Sequence, residues 1–417
     1  MSLVLSDGVD LTNGWPGGII VKVKFEKGDF IVDFKMTAPE SEGFDRNRLE
    51  QIRLTAEGRI ERGLLPCAAS LVSRHGNVVW YERQGFSDEE RQRPLDKRAL
   101  FRLASMTKPI TAAAVMIQME RGRIGLFDPV SKYIPGADEM TVIGTGARAL
   151  NAIRVIDLLS HSSGWGSGVS GERFFDFGPK PGETLSEVVP RYVGLGLEFE
   201  PGTNEAYSAL VGFDVLAYLV ECTSGLPYPE FLKRNLFEPL GMVDTTFAPS
   251  KEQQERIVTI FENTETGICP VDMRGSIFSV LPTSYTSGGA GLLGTLEDYH
   301  CFTQMLLGGG TYNGCRILSP NSVAMMHQPI LEERFSNMGR GVTWGMGMRV
   351  ITSSASAALP LRKGAYGWSG AYGTHFWIDP ELELTAIYFS NLTTSGGADA
   401  ETAREFENDV MQAIMEL

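Results

Sequence analysis

The sequence is poor in the residues that build metal and disulfide frameworks. Only 5 of its 417 residues are cysteine, an odd number, at Cys67, Cys222, Cys269, Cys301 and Cys315, and no C-x-x-C spacing occurs. That argues against a zinc ribbon or disulfide scaffold and reads as free thiols in a reducing compartment. Histidine is as sparse: His75, His161, His300, His327 and His375 form no H-E-x-x-H and no close pair, so each is read as structural and no metal is expected. No run of 18 apolar residues exists, which excludes a membrane-spanning helix. Met1 to Asp10 lacks a basic and an apolar region, so no secretory leader is expected and the chain is placed in the cytoplasm. Positive charge is outnumbered, 37 Lys and Arg against 51 Asp and Glu, a net charge of −14 that argues against nucleic acid or an anionic membrane as partner. No G-x-x-x-x-G-K-[ST] occurs. The one G-x-G-x-x-G, Gly289 to Gly294, follows no β-branched strand and has no acid ~20 residues on, so it reads as a glycine-rich turn. G-x-S-x-G is also missing, which disfavours an ordinary α/β-hydrolase elbow.

What is present is ordinary globular composition, 43% apolar and 21% charged, in a chain long enough to bury a large core unaided. Residues 19–34 read as a hairpin turning at Glu26-Lys27-Gly28-Asp29. Residues 45–63 read as a helix from the spacing of Leu49, Ile52, Ala56 and Ile60. Strands at 68–73 and 78–81 flank the turn signal His75-Gly76-Asn77. The same grammar returns late: strands at 373–378 and 384–389, then an amphipathic helix over 399–416 with Phe406, Val410, Ala413 and Ile414 inward. The middle is helical at 108–121, 153–160, 185–193, 208–222 and 228–236, with long loops at 162–184 and 262–290. This predicts an extension over 1–42, a discontinuous α/β domain from 43–112 and 285–417, and an α-rich domain over 113–284. Thr393 to Gly397, small and polar, carries no reading.

The chemistry concentrates at Phe101-Arg102-Leu103-Ala104-Ser105-Met106-Thr107-Lys108, which holds the chain's single S-x-x-K. An apolar helix follows, so Ser105 stands at a helix start, and residues three apart share a face. A serine hydroxyl is a poor nucleophile until a base takes its proton, and a lysine, with a pKa of about 10.4, is a poor base until burial or nearby charge lowers it. A helix N-terminus disfavours the ammonium and favours a developing oxyanion. By itself this stretch reads rather as a helix cap and a solvated lysine. Two further segments add to it: Asn204-Glu205-Ala206-Tyr207-Ser208-Ala209 before an apolar helix, and Gly367-Trp368-Ser369-Gly370-Ala371-Tyr372-Gly373 entering a strand.

The order S-x-x-K, tyrosine before a helix, small-residue strand entry resembles the serine β-lactamase and penicillin-binding-protein superfamily. Within it the chain most resembles the class C β-lactamase-like esterases (family VIII carboxylesterases), over residues 43–417. Leu158 to Gly164, Phe237 to Met242 and Gly288 to Leu292 agree with that resemblance. It implies an α+β fold of the β-lactamase/transpeptidase type: an antiparallel sheet flanked by terminal helices, beside an α-rich domain. It implies Ser105 as acylated nucleophile, Lys108 as its proton partner, Tyr207 as proton shuttle, and the backbone N–H groups of Ser105 and Ala371 as oxyanion hole. Two departures stand out. The lactamase Tyr-x-Asn ends here in Ala209, and the cation of K-T-G is here Trp368, so two polar anchors for a charged amide substrate are replaced by an apolar surface. Trp368, Ser369, Gly370, Trp165, Phe175 and Tyr372 are the expected substrate walls, with ordinary packing as the competing reading for the aromatic ones. The expected function is hydrolysis of small-molecule esters with small to medium apolar acyl groups, with no cofactor. A β-lactamase or D-amino-acid peptidase, an acyltransferase using the same acyl-enzyme, and a homo-oligomeric state all stay open; the retained Ser105, Lys108 and Tyr207 argue against a non-catalytic binding protein on this fold.

Overall fold

The structure is a computed structural model. It describes residues 22–26, 29–33 and 36–416, apart from 89, 91, 266, 274–275, 279–280, 282, 332–337, 394–395 and 398–399. Near the N-terminus Lys22–Glu26 pairs antiparallel with Asp29–Asp33; the rest of the expected 19–34 hairpin lies outside the described residues.

Seven antiparallel strands form the main sheet. They are β1 (Cys67–Arg74), β2 (Asn77–Gly85), β3 (Val342–Trp344), β4 (Arg349–Ile351), β5 (Tyr366–Ser369), β6 (Thr374–Asp379) and β7 (Leu384–Phe389), in the spatial order β3-β4-β5-β6-β7-β1-β2. The β1–β2 turn is made by His75 at φ 50° and Gly76 at φ 76°, the left-handed pair that a two-residue hairpin requires. Every residue of β1, β6 and β7 is buried, so both faces of the sheet centre are covered. Alternation assigns the faces. Ala69, Leu71, Phe376, Ile378, Ile387 and Phe389 point to one apolar cluster; Ala68, Val72, Trp377, Leu384, Ala386 and Tyr388 point to the other.

The second cluster is closed by the two chain ends. Helix α1 (Gln51–Glu61) brings Ile52 and Ala56; the C-terminal helix α5 (Glu401–Met411) brings Phe406 and Val410, with Ala413 just beyond it. Ile414, expected inward, is only half-buried and bridges Phe44. An Arg59 fork on Glu405, at 2.7 Å twice, ties α1 to α5. The buried Arg74 guanidinium donates to the carbonyls of Glu42, Leu382 and Glu416, fastening the segments at 42 and 416 to the end of β1.

The first cluster lies against α2 (Thr107–Glu120), α3 (Val211–Ser224) and α4 (Leu296–Leu307). Residues 107–118 of α2 are all buried, the mark of a helix enclosed on every side rather than laid on a surface. α3 stops where Gly225 takes φ 72°, a left-handed C-cap. Two expected helices are less regular than their spacing suggests. Residues 185–188 are α-helical, but Pro190, with no N–H to donate, sits in a 3₁₀ stretch over 189–195. Residues 228–232 are α-helical and 233–237 widen to a π-turn. The long loop at 162–184 carries two short helical turns, Gly168–Glu172 and Phe174–Phe177.

Candidate active site

The Ser105 segment is locked against the sheet by one close approach. The short strand Phe101–Arg102 pairs with Leu293–Gly294, and the chain then makes a single 3₁₀ turn, Ala104–Met106, before α2 begins at Thr107. Ser105 therefore lies in the turn that enters the helix. Ala104 is held at φ 46°, a left-handed conformation that costs a non-glycine residue roughly 1–3 kcal/mol and persists only where its surroundings enforce it. Those surroundings are the β5–β6 corner. Thr374 Oγ1 donates to the Leu103 carbonyl at 3.1 Å. A side chain at Gly370 would put its Cβ 2.1 Å from Thr374 Oγ1 and 2.4 Å from the Leu103 carbonyl oxygen, so only glycine lets the corner reach the serine turn.

Three side chains then converge. Tyr207 hydroxyl donates to Ser105 Oγ at 2.7 Å. Lys108 is fully buried, and its Nζ donates to the carbonyls of Ala209 at 2.6 Å and Gly289 at 2.9 Å, with Ser105 Oγ at 3.4 Å. Nζ also lies 4.9 Å from the centre of the Tyr207 ring. Tyr207 is 36% exposed, so the group that joins Ser105 to Lys108 opens to solvent on one side. A hydroxyl between a phenol and a buried amino group has both a route for its proton and a polar neighbour for the charge it leaves. Among the described residues, neither the Ser105 nor the Ala371 backbone N–H donates to a protein acceptor. A developing oxyanion needs N–H donors left free in this way.

Residues 52–408 match the family model described as Beta-lactamase. The chain belongs to the beta-lactamase family. It is 32% identical to Protein Rv1367c of Mycobacterium tuberculosis over 82% of this chain and 90% of that protein. It is 28% identical to Esterase EstB of Burkholderia gladioli over 79% of this chain and 86% of that protein. Among solved structures it is similar to "EstCE1, a hydrolase with promiscuous acyltransferase activity", with a TM-score of 0.76 and 25% identity, covering 89% of this chain and 99% of that one. The beta-lactamase/transpeptidase-like fold follows, with its α+β architecture.

In this beta-lactamase-family chain the tyrosine is packed from below by aromatic rings. Trp344 stacks on Tyr207 at 5.8 Å and 11°, and Trp368 packs on Trp344 at 4.5 Å and on Tyr207 at 5.5 Å. His161 lies 4.7 Å from the Tyr207 ring and 4.3 Å from Trp344. Its Nδ1 accepts the Ser208 N–H at 3.1 Å, which leaves the proton of the neutral ring on Nε2. Burial, helped by the Lys108 charge, pushes its pKa well below the ordinary histidine value. Trp344 Nε1 donates to Glu205 at 2.7 Å, fixing the indole from the residue two before Tyr207. His161 falls in the Leu158–Gly164 motif, whose sequence signal carried no role for it. Trp344 and the carbonyls of Ala209 and Gly289 carried none at all: no side-chain pattern announces a backbone acceptor. Gly396 is a further case, since a Cβ there would lie 2.1 Å from the Ala371 carbonyl oxygen, so only glycine fits against that peptide.

The expected walls need three corrections. Trp165 has no exposed surface; its indole donates to the Tyr192 carbonyl at 2.9 Å inside the core, so it lines no cleft. Phe175 is 91% exposed and meets only the edge of Phe174 among the described ring contacts. Ser369 follows Trp368 on β5 and so points to the opposite face, where its hydroxyl pairs with buried His375 Nδ1 at 2.7 Å beside Glu407. Trp368 does join the Ser105 group, Gly370 joins it through its backbone, and half-buried Tyr372 follows Ala371 at the same corner. A cavity of about 770 Å³ lined by Phe237, Leu240, Met242, Phe247 and Tyr312 contains none of Ser105, Lys108 or Tyr207. Among the described residues no group of three His, Cys, Asp or Glu is placed to hold a metal, and no helix is long and apolar enough to cross a membrane.

Proposed function

We propose that this serine β-lactamase-like enzyme is a carboxylesterase for small-molecule esters of small to medium apolar acids. The observation that carries this reading is Trp368. It stands where the lactamase pattern has a cation, and it packs against Tyr207 at 5.5 Å, so the surface beside Ser105 is indole rather than ammonium. Ala209 gives the site a methyl in place of a carboxamide. Neither residue can hold the acylamide and carboxylate of a β-lactam; both suit an uncharged acyl chain.

In this reading Ser105 Oγ attacks the ester carbonyl as its proton passes to Lys108 Nζ, which takes it as the neutral amine, while Tyr207 keeps its hydroxyl proton for the leaving group. The Ser105 and Ala371 N–H groups hold the oxyanion, a contribution of about 3–4 kcal/mol per donor. The alkoxide leaves with the proton returned through Tyr207. Water, activated by the same tyrosine, then releases the acid from Ser105. Delivery of the acyl group to an alcohol or amine differs only in which nucleophile reaches the acyl-enzyme, and the likeness to EstCE1 supports that second outcome in the presence of an alcohol acceptor. The test is to quench the protein during turnover of p-nitrophenyl butyrate and map the adduct by mass spectrometry. A butyryl group on Ser105 is expected; a labelled residue elsewhere, or turnover without an adduct in Ser105 variants, would contradict the reading.

A further inference from the structure

Asp214 is a buried carboxyl close to Lys108 that the mechanism above leaves unused. It is fully buried on the first turn of α3. Its Oδ2 accepts from Tyr285 hydroxyl at 2.5 Å, and Tyr285 is bonded in turn to Tyr192 at 2.6 Å. Its Oδ1 accepts from Ser287 Oγ at 2.6 Å and from the Gly289 N–H at 3.1 Å. Because Ser287 gives its proton to the carboxylate, its oxygen is left to accept, and it takes the N–H of Ala290 at 3.2 Å. That N–H and the Gly289 carbonyl belong to one peptide group, and the carbonyl receives Lys108 Nζ at 2.9 Å. The result is an unbroken chain: Asp214 carboxylate, Ser287 hydroxyl, the Gly289–Ala290 peptide, Lys108 amine, Ser105 hydroxyl. Each link polarises the next, and a buried carboxylate at one end strengthens the acceptor at the other.

The loop that carries this peptide has no slack. A Cβ at Gly288 would lie 2.4 Å from the Phe213 carbonyl oxygen, and one at Gly289 would lie 3.0 Å from Leu210 Cα, so both glycines are pressed onto the start of α3. Thr111, one turn beyond Lys108 on α2, donates to the Gly288 carbonyl at 2.7 Å and shares a bond with Tyr228. The loop is thus held at two successive carbonyls by the Ser105 helix and from behind by Asp214.

We propose that Asp214 is a positioning residue for the Ser105–Lys108 pair, acting through Ser287 and the Gly289–Ala290 peptide to aim the Gly289 carbonyl at Lys108. This rests on the Ser105 acyl-enzyme reading. The charged and titratable groups facing Asp214 are Lys108 from α2, Tyr285 from the 283–292 loop, Tyr192 from the 3₁₀ stretch, and Tyr228 from the helix after α3. Burial raises the Asp214 carboxyl to about 6, against the opposing pull of its hydrogen bonds and Lys108.

The experiment is the second-order rate of Ser105 labelling by a fluorophosphonate, followed from pH 5 to 8 in wild type, Asp214→Asn, Ser287→Ala and Ser287→Thr, with thermal melting of each. The probe reads nucleophilicity at Ser105 and does not depend on the natural ester. Asp214→Asn and Ser287→Ala should each slow labelling about tenfold or more at pH 8 while still folded. Ser287→Thr, which keeps the hydroxyl, should restore it to within about threefold. The wild-type fall in rate below pH 6 should be reduced in Asp214→Asn. Wild-type labelling rates and an unchanged acid limb in folded Asp214→Asn and Ser287→Ala would overturn the inference and leave the Ser105 reading standing. Loss of rate in Ser287→Ala without rescue by threonine would also overturn it. A wild type that takes no label at Ser105 would sink both.

Discussion

Tyr207→Phe separates the chemical role of one hydroxyl from the packing of one ring. The ring is held by Trp344 at 5.8 Å, Trp368 at 5.5 Å and His161 at 4.7 Å, all of which phenylalanine retains. The hydroxyl makes one bond, 2.7 Å to Ser105 Oγ, and the residue is 36% exposed, so water can replace what is lost. The stability cost should be that of one hydrogen bond, about 1 kcal/mol. The catalytic cost should be far larger, because a positioned acid–base group contributes about 10²–10⁴-fold, or roughly 3–5 kcal/mol of barrier. The assay is kcat and KM on p-nitrophenyl butyrate with parallel thermal melting. The expected outcome is a drop in kcat of at least about 100-fold, KM within about threefold, and a melting temperature close to wild type. A kcat within fivefold of wild type would remove the phenol from proton transfer. A large fall in melting temperature would show that the hydroxyl is structural.

The other predictions follow from the same geometry. Gly370→Ala forces a Cβ to 2.1 Å from Thr374 Oγ1, so it should cost about 1–3 kcal/mol of stability and most ester turnover; a crystal structure with an unmoved Ser105 turn would contradict this. Trp368→Ala should shift the preferred p-nitrophenyl ester to longer acyl chains while Ser105 still labels, whereas an unchanged chain-length profile would place the indole outside the acyl site. Arg59→Ala removes the fork to Glu405 and should lower the melting temperature with no change in kcat, because it acts on the α1–α5 face, away from Ser105. Buried His300 is held neutral, its pKa pushed down by burial from the ordinary 6.5 to about 3. The unfolded chain takes that proton near 6.5 and the folded chain does not, so stability contributed by neutral His300 is lost as pH falls from 6.5 toward 3. His300→Gln should flatten denaturation midpoints across that window by about one proton's slope, 1.4 kcal/mol per pH unit, and an unchanged slope would refute it.

Much of the sheet was legible because its strands obey short-range rules. The His75-Gly76 turn, the strands on either side of it and the β6–β7 pair are written in alternation and turn chemistry, and α1 and α5 in their apolar stripes. The helices at 185 and 228 were less so, because a proline and a π-turn alter hydrogen bonding without altering hydrophobic spacing. At the candidate site the side chains that announce chemistry, Ser105, Lys108 and Tyr207, stood out through their motifs. What was not legible lies in backbone and in long-range packing. The carbonyls of Ala209 and Gly289 have no sequence signature, and Trp344 comes from an edge strand 137 residues beyond Tyr207. Trp165 and Phe175 were misread for the converse reason: an aromatic in a long loop looks the same whether it sinks into the core or stands in solvent.

The central claim is that Ser105 opens esters in preference to lactam amides. Initial rates on p-nitrophenyl esters of increasing chain length and on nitrocefin, for wild type and Ser105→Ala, test it directly. The account predicts ester turnover that vanishes in Ser105→Ala, far exceeds nitrocefin turnover, and peaks at a short to medium acyl chain. Nitrocefin turnover that exceeds ester turnover, or ester hydrolysis that survives Ser105→Ala, would contradict it.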